Sequence, residues 1–237
     1  MEFDVAILGG GSAGYAAAST AQSYGAKVAI VDPGPLGGLC ILRGCMPTKT
    51  ILRSSDILSL MRRAKEFGLI PVEPVADLAA INDRKNRLIA EFTDYRVKQL
   101  KDYRFTLIQE KAEFISPNNI QVGPKTLKAN KFIIATGSVV ANYSIPGLEE
   151  TGFVTSDDIL TMREAPESII VLGAGAVAVE LAQFFLRIGT SVTLIQRSGH
   201  ILSQGDEDLA RPVENRFREE GMNLFTSTKA VSYTHLT

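Results

Sequence analysis

The chain alternates short apolar runs with amphipathic stretches, in an order that predicts strand, turn, helix and strand. Val5-Ala6-Ile7-Leu8 leads into Gly9-Gly10-Gly11-Ser12-Ala13-Gly14, and Ala-rich helical sequence follows. The next apolar run, residues 27–31, ends at Asp32. The same order returns later: the run 168–172 enters Gly173-Ala174-Gly175, helical sequence continues to about Ile188, and 191–195 is again apolar. This pair is the internal repeat of the chain. Strands joined through helices predict parallel pairing, so the fold class expected is α/β with two Rossmann-like dinucleotide-binding folds built on parallel sheets. Between the repeats, a helix is predicted from near Pro47 to about Lys65, a loop over 68–74, and a second, charge-rich helix over 75–102 with a solvated face. Residues 105–134 read as short strands with a turn at Ser116-Pro117-Asn118-Asn119. Residues 141–166 read as a link containing a candidate N-cap at Ser156-Asp157-Asp158.

The glycine turns carry the first chemistry. Gly9-x-Gly11-x-x-Gly14 follows an apolar run and opens a helix, the context a dinucleotide fingerprint needs. Gly9 permits the tight turn, Gly11 permits close approach of a pyrophosphate at the helix N-terminus, and Gly14 permits close helix–strand packing. Asp32, an acid about 20 residues on, can accept from ribose hydroxyls. The second turn reads Gly173-x-Gly175-x-x-Ala178. Its second strand ends at Gln196-Arg197, where an NAD site would place an acid, which suggests a 2′-phosphate and tilts the coenzyme toward NADPH. Arg197 is otherwise a solvated surface charge.

Cys40 and Cys45 are the only cysteines. A disulfide needs Cα atoms within roughly 7 Å, whereas residues i and i+5 of a regular helix are roughly 8–9 Å apart. A redox-active dithiol therefore requires a bend between them, and Gly44 removes a Cβ where it would fall. The other reading is two thiols that never meet.

Composition narrows the class. At 237 residues the chain can bury a sizeable core, in one large or two ordinary domains. A net charge of −1 gives no general attraction to nucleic acid or anionic lipid. No apolar stretch approaches the ~18 residues of a membrane span. Glu2 and Asp4 stand where a secretory signal would be basic, so a cytoplasmic location is expected, where two cysteines point to catalysis rather than scaffolding. No metal site is expected.

Gly38-Leu39-Cys40 through Gly44-Cys45-Met46-Pro47-Thr48-Lys49 resembles the GGTCxxxGCxPxK motif of the class I pyridine nucleotide–disulfide oxidoreductases, dihydrolipoyl dehydrogenase- and mercuric reductase-like. Three further segments extend the resemblance over residues 1–228. The apolar run ending in Ala135-Thr136-Gly137 resembles the family's ATG strand, Ile145-Pro146-Gly147 its inter-domain link, and Gly173 to Glu180 its GxGxxAxE. It implies an FAD domain over 1–145 and an inserted NAD(P) domain over 146–237. FAD would be held by Gly9, Gly11, Ser12, Ala13, Gly14, Asp32, Gly38, Cys40, Lys49, Ala135, Thr136 and Gly137; NAD(P)H by Gly173, Gly175, Ala178, Gln196 and Arg197. Cys40 would be the interchange thiol that meets substrate, Cys45 the thiolate against the flavin, and Lys49 the cation near flavin N5, paired with Glu180. Leu39 departs from the family's Thr. Ala176 is small where glutathione reductases carry Tyr, and Ser203 stands where they tend to place a second 2′-phosphate arginine.

The activity implied is electron transfer between NAD(P)H, FAD and the Cys40–Cys45 disulfide, to a small-molecule disulfide, lipoyl or metal-ion substrate, in a homodimer. The family's His–carboxylate pair and returning FAD segment find no match: neither His200 nor His235 lies in the His motif, and Gly205-Asp206 comes too early. The expectation is therefore a truncated N-terminal part of a longer enzyme, inactive alone, in which residues 232–237 fit no family element. Two other readings are weighed beside it. One is a flavoprotein of the NADH oxidase or ferredoxin reductase type, against which the cysteine pair argues. The other is a nucleotide-binding or redox module without turnover.

Overall fold

The computed structural model describes residues 1–102, 104–141 and 145–231. The chain divides into two compact units, Met1–Pro47 with Asn86–Val139, and Thr48–Lys85 with Val140–Thr237.

In the first unit, β1 (Glu2–Leu8), β2 (Val28–Val31), β3 (Thr106–Ile108), β4 (Ala112–Ser116), β5 (Asn119–Val122) and β6 (Lys125–Ile134) form one sheet. Their order is β3-β2-β1-β6-β5-β4. β1 is central and pairs in parallel with both neighbours, so that Leu8 lies opposite Val31 and Ile134. β5 pairs antiparallel with β4 and β6. All of β2 is buried, which explains a continuous apolar run in place of alternation. β5 alternates instead, burying Ile120 and Val122. Alternate residues feed two cores: Ile7 and Ile30 join Ala18, Leu36, Leu100 and Phe105, while Leu8, Ala29 and Val31 join Ile120 and Leu127. Helix α1 (Ser12–Ser23) links β1 to β2 and buries only Gly14 and Ala18, small residues that let it lie close to the sheet.

Short-range features fix the next helices. α2 (Gly38–Leu42) is followed after Arg43 and Gly44 by α3 (Cys45–Arg62). α3 starts two residues before the predicted Pro47, which becomes its third residue, a position whose N–H has no intrahelical partner to lose. It ends at Arg62 rather than near Lys65, because the chain tightens into a 3-10 turn over Ala64–Phe67, closed by Gly68 at φ 74°. α4 (Leu78–Leu100) is shorter at both ends than the 75–102 predicted; the Ala80 N–H donates to Asp77 Oδ1 at 2.9 Å, a cap that fixes the start. α5 (Ser156–Ile159) is capped by Thr155, not by the Ser156-Asp157-Asp158 predicted: Thr155 and Asp158 form a reciprocal capping box.

In the second unit, β7 (Ser168–Leu172), β8 (Ser191–Ile195) and β9 (Asn223–Phe225) make a parallel sheet in the order β7-β8-β9. α6 (Ala176–Ile188) buries Val179, Leu181, Ala182, Phe184 and Phe185, the two rings meeting edge to face at 5.4 Å. They pack with Val192 and Leu194 of β8, Phe217 of α7 (Glu207–Glu219), Ile51 of α3 and Leu78 of α4. No described helix is long and apolar enough to cross a membrane.

Candidate functional site

The first glycine turn is built by its neighbours. The Gly9 N–H donates to Val31 O at 2.8 Å, and Gly9 holds φ 105°. A Cβ there would lie 2.2 Å from Ala135 O, so only glycine fits. The Ala135 N–H donates in turn to Leu8 O at 2.8 Å, which seats Ala135 beside Gly9 and close to the start of Thr136-Gly137. Gly14 is as constrained, since its Cβ would lie 1.8 Å from Gly9 O. Gly11 is different. A Cβ there would meet only Gly38 Cα, at 3.5 Å, an ordinary contact. Gly38, at φ 76°, closes on Gly11 so tightly that its own Cβ would fall 2.4 Å from Gly11 Cα.

Asp32 closes the turn from β2. Its Oδ2 accepts from the Gly10 N–H at 2.6 Å and its Oδ1 from the Gly34 N–H at 2.8 Å. A carboxylate offers about four lone-pair sites, so capacity remains for further donors. Ser12, Ala13 and Gly14 form the first turn of α1, which has neither a side-chain cap nor an acid, leaving its N–H groups for an anion.

The cysteines sit across the α2–α3 break. Arg43 leaves the helix at φ −150°. A Cβ on Gly44 would lie 2.9 Å from Leu39 O and 3.2 Å from Cys40 Cα, so the bend needs glycine at that point. Both cysteines are free thiols, Cys40 half-buried and Cys45 exposed, and their side chains share a hydrogen bond. Burial pushes the Cys40 thiol up, and the Cys45 thiol adds to the rise; a hydrogen bond with Ser12 opposes both. The turn, Asp32, Gly38, both cysteines and Ala135-Thr136-Gly137 thus belong to one unit and one end of β1.

The second unit holds the other predicted residues. The Gly173 N–H donates to Ile195 O at 2.8 Å, and Gly173 holds φ 90°. Nothing lies within 4 Å of a Cβ built on Gly173 or Gly175. The first turn of α6, which contains Ala178, also lacks a side-chain cap and an acid. Both glycine turns therefore present uncapped N–H groups suited to a dinucleotide pyrophosphate, the second beside open glycine surface and the first beside Gly11, whose added Cβ would meet only an ordinary contact. Glu180, on α6, forms an ion pair with Lys49 of α3.

Gln196 lies where the sequence reading seeks a coenzyme contact, but its side chain is buried in its own loop. Its Nε2 donates to Ser203 Oγ at 3.3 Å and His200 O at 3.4 Å, and its Oε1 accepts from the Arg197 N–H at 3.1 Å. The Leu202 N–H donates to Ala174 O at 2.8 Å, fastening that loop to the second glycine turn. Arg197 is exposed. The Ser12–Cys40 contact and the inward turn of Gln196 carry no signal in sequence, because each depends on a neighbour brought in by the fold. His235, with residues 232–237, lies outside the described residues.

Comparison with known proteins agrees with this geometry. The family model "Pyridine nucleotide-disulphide oxidoreductase" matches residues 3–236. A mercuric reductase of Staphylococcus aureus is 36% identical over 226 residues, covering 95% of this chain and 41% of that protein. A dihydrolipoyl dehydrogenase of Bacillus subtilis (strain 168) is 30% identical over 231 residues, covering 95% and 50%. The Cu(II) complex of the HOCl-induced flavoprotein disulfide reductase RclA from Escherichia coli superposes with a TM-score of 0.82 at 26% identity, covering 99% of this chain and 51% of that one. The chain thus spans about half the length of these relatives or less. With a match across nearly its whole length, paired glycine turns and a juxtaposed thiol pair, this chain belongs to the pyridine nucleotide-disulphide oxidoreductases.

Proposed function

We propose that this chain is the N-terminal part of an enzyme that, at full length and as a homodimer, passes electrons between NAD(P)H, FAD and the Cys40–Cys45 pair, and from there to a small-molecule disulfide, a lipoyl group or a thiophilic metal ion, and that the part alone is inactive. FAD and NAD(P)H are the cofactors of its family. The observation that carries the reading is the thiol pair itself: two cysteines in hydrogen-bond contact across a break that only Gly44 permits, in the unit whose glycine turn fits a pyrophosphate.

We assign FAD to residues 1–145, with the pyrophosphate on the first turn of α1 beside Gly11 and the ribose on Asp32. Residues 146–237 take the pyridine nucleotide, with Gly173 and Gly175 at its pyrophosphate and Arg197 at the 2′-phosphate of NADPH. When bound, the flavin supplies hydride acceptance from the nicotinamide and transfer of the electron pair to sulfur. The chain's own residues do the rest. Cys45 opens α3 and so stands at the positive end of that helix dipole. Cys40, whose thiol is pushed up by burial, is the cysteine that meets the substrate, and it must give up its proton to attack as the thiolate. The pair moves between two thiols and one disulfide, releasing or taking up two electrons and two protons. Lys49 is the cation that serves the flavin, and its pairing with Glu180 supports that role.

The test is the long-wavelength absorbance of FAD-loaded protein on reduction. Cys45→Ser should abolish it and Cys40→Ser should retain it. A band that survives Cys45→Ser overturns the assignment.

A further inference from the structure

Lys49 and Asp56 are seven residues apart on α3, and Glu180 and Arg187 are seven apart on α6. The pairs are bonded in matching order: Lys49 with Glu180, and Asp56 with Arg187, whose Nη1 donates to Asp56 Oδ1 at 2.6 Å. Seven residues is about two turns and about 10.5 Å of helix, so each helix carries its two charges on one stripe. The stripes are inverted. α3 reads positive then negative, and α6 reads negative then positive. Bonded this way, the two helices run in the same direction in one register. A slip of two turns one way sets Lys49 against Arg187, and the other way sets Asp56 against Glu180. Both slips bring like charges together.

The two ends of this clasp differ in strength. At the Lys49 end the pair is wet, with 60% of the Lys49 side chain and 30% of the Glu180 side chain exposed. An exposed pair has little net energy with which to hold a long, flexible lysine. At the other end the guanidinium is shielded, with 16% of the Arg187 side chain exposed, while its partner Asp56 keeps 47%. Arg187 Nε and Nη2 grip the Glu220 carboxylate at 3.1 and 2.9 Å. Glu220 accepts also from Gln183 Nε2 at 3.1 Å and Arg216 Nε at 2.8 Å. Arg62 Nη1, from the last turn of α3, donates to Arg187 O at 2.7 Å. A bidentate, shielded guanidinium of this kind holds its geometry.

We propose that Asp56 and Arg187 are positioning residues: by locking α3 to α6 two turns away, they hold Lys49 on Glu180. The consequence for the flavin rests on the function proposed above; the register itself does not. The experiment measures acylation of Lys49 in the full chain by acetic anhydride, read by peptide mass spectrometry against the exposed lysines Lys98 and Lys125. Glu180→Gln should raise labelling of Lys49 about two- to fivefold, the scale of an exposed pair. Asp56→Asn should raise it in the same direction, Asp56→Glu should restore it, and Asp56→Asn with Glu180→Gln should exceed Glu180→Gln by little. Arg187→Lys, which keeps the charge but cannot bridge Asp56 and Glu220 together, should behave as Asp56→Asn.

Labelling of Lys49 that stays at the wild-type level in Asp56→Asn, or effects of the two substitutions that simply multiply, would overturn the proposal. So would a parallel rise at Lys98 and Lys125, which marks general loosening. In FAD-loaded protein, a flavin potential unmoved by Lys49→Met would count against the functional reading alone.

Discussion

The two glycines at Gly11 and Gly14 should fail in opposite ways when each is given a methyl group. At Gly14 the new Cβ would lie 1.8 Å from a backbone oxygen, where ordinary contact begins at 3.4 Å, and that oxygen belongs to Gly9, itself pinned by Val31 and Ala135. The neighbour cannot yield, so α1 must move. Overpacking of this kind costs about 1–3 kcal/mol, and the upper part of that range applies because backbone meets backbone. The helix-propensity gain of Ala over Gly, about 1 kcal/mol, offsets part of the cost. A net loss of about 2 kcal/mol lowers Tm by about 4–8 °C in a chain of this size. At Gly11 the same methyl has an ordinary 3.5 Å contact with Gly38 Cα and a φ of −67°, so the ligand-free protein should lose no more than about 1 kcal/mol, the scale of Ala against Gly at a helix N-cap. The methyl nevertheless enters the space assigned to the pyrophosphate. If a forced contact there costs about 1–3 kcal/mol, FAD affinity falls about five- to 150-fold. The assay is thermal unfolding of the ligand-free chain, followed by FAD titration read by flavin fluorescence. Gly11→Ala that unfolds as early as Gly14→Ala, or that binds FAD like wild type, would refute the division of roles.

Two other outcomes follow from the second unit. Burial alone would raise the Glu220 carboxyl, but Arg187, Gln183 and Arg216 outweigh it and hold it below the usual carboxylate range. The unfolded chain therefore binds the extra proton first: this stabilisation is complete above the ordinary carboxylate pKa and is lost as pH falls through the lower, folded value. Glu220→Gln should lower stability by about 3 kcal/mol at neutral pH and flatten the acid limb of a urea-midpoint profile; an unchanged acid limb would contradict it. Arg197→Glu should weaken binding of 2′,5′-ADP by about tenfold or more while leaving 5′-AMP within about twofold, as calorimetric titration would read, because a charged hydrogen bond contributes about 1.5–3 kcal/mol. Equal losses for both ligands would make Arg197 structural.

The parts legible in the sequence are those fixed by neighbours in the chain. β1 and β2 announced themselves as apolar runs against glycine turns, and the bend between Cys40 and Cys45 could be anticipated because a five-residue spacing in a straight helix keeps the sulfurs apart. What stayed hidden depends on distant partners. The inner face of α7 carries Glu214, a fully buried carboxylate that binary patterning assigns to solvent. Its seat exists only because the Ile201 N–H and Arg211 meet it there. Gln196 follows the same logic, drawn inward by Ser203 and the His200 carbonyl. Helix ends shifted for local reasons: Pro47 fits the third position of α3 as well as the first, and pattern alone does not separate the two.

The placing of β1 between β2 and β6 has a consequence for synthesis on the ribosome. Val5 meets Val28, 23 residues on, whereas Glu2 meets Lys128, 126 residues on. At about 5–20 residues per second, the second partner is made about 6–25 s after β1. Throughout that interval the nascent chain carries a strand edge rich in Val5, Ala6, Ile7 and Leu8 with nothing to pair it, the kind of edge that templates association between chains. Glu2 and Asp4, alternating with the apolar residues at the start of the strand, then act as gatekeeping charges. Ribosome-arrested chains ending near residues 100 and 160 should differ accordingly, with β1 open to protease in the first and closed in the second. The central strand of the sheet is thus the first to be synthesised and the last to be secured.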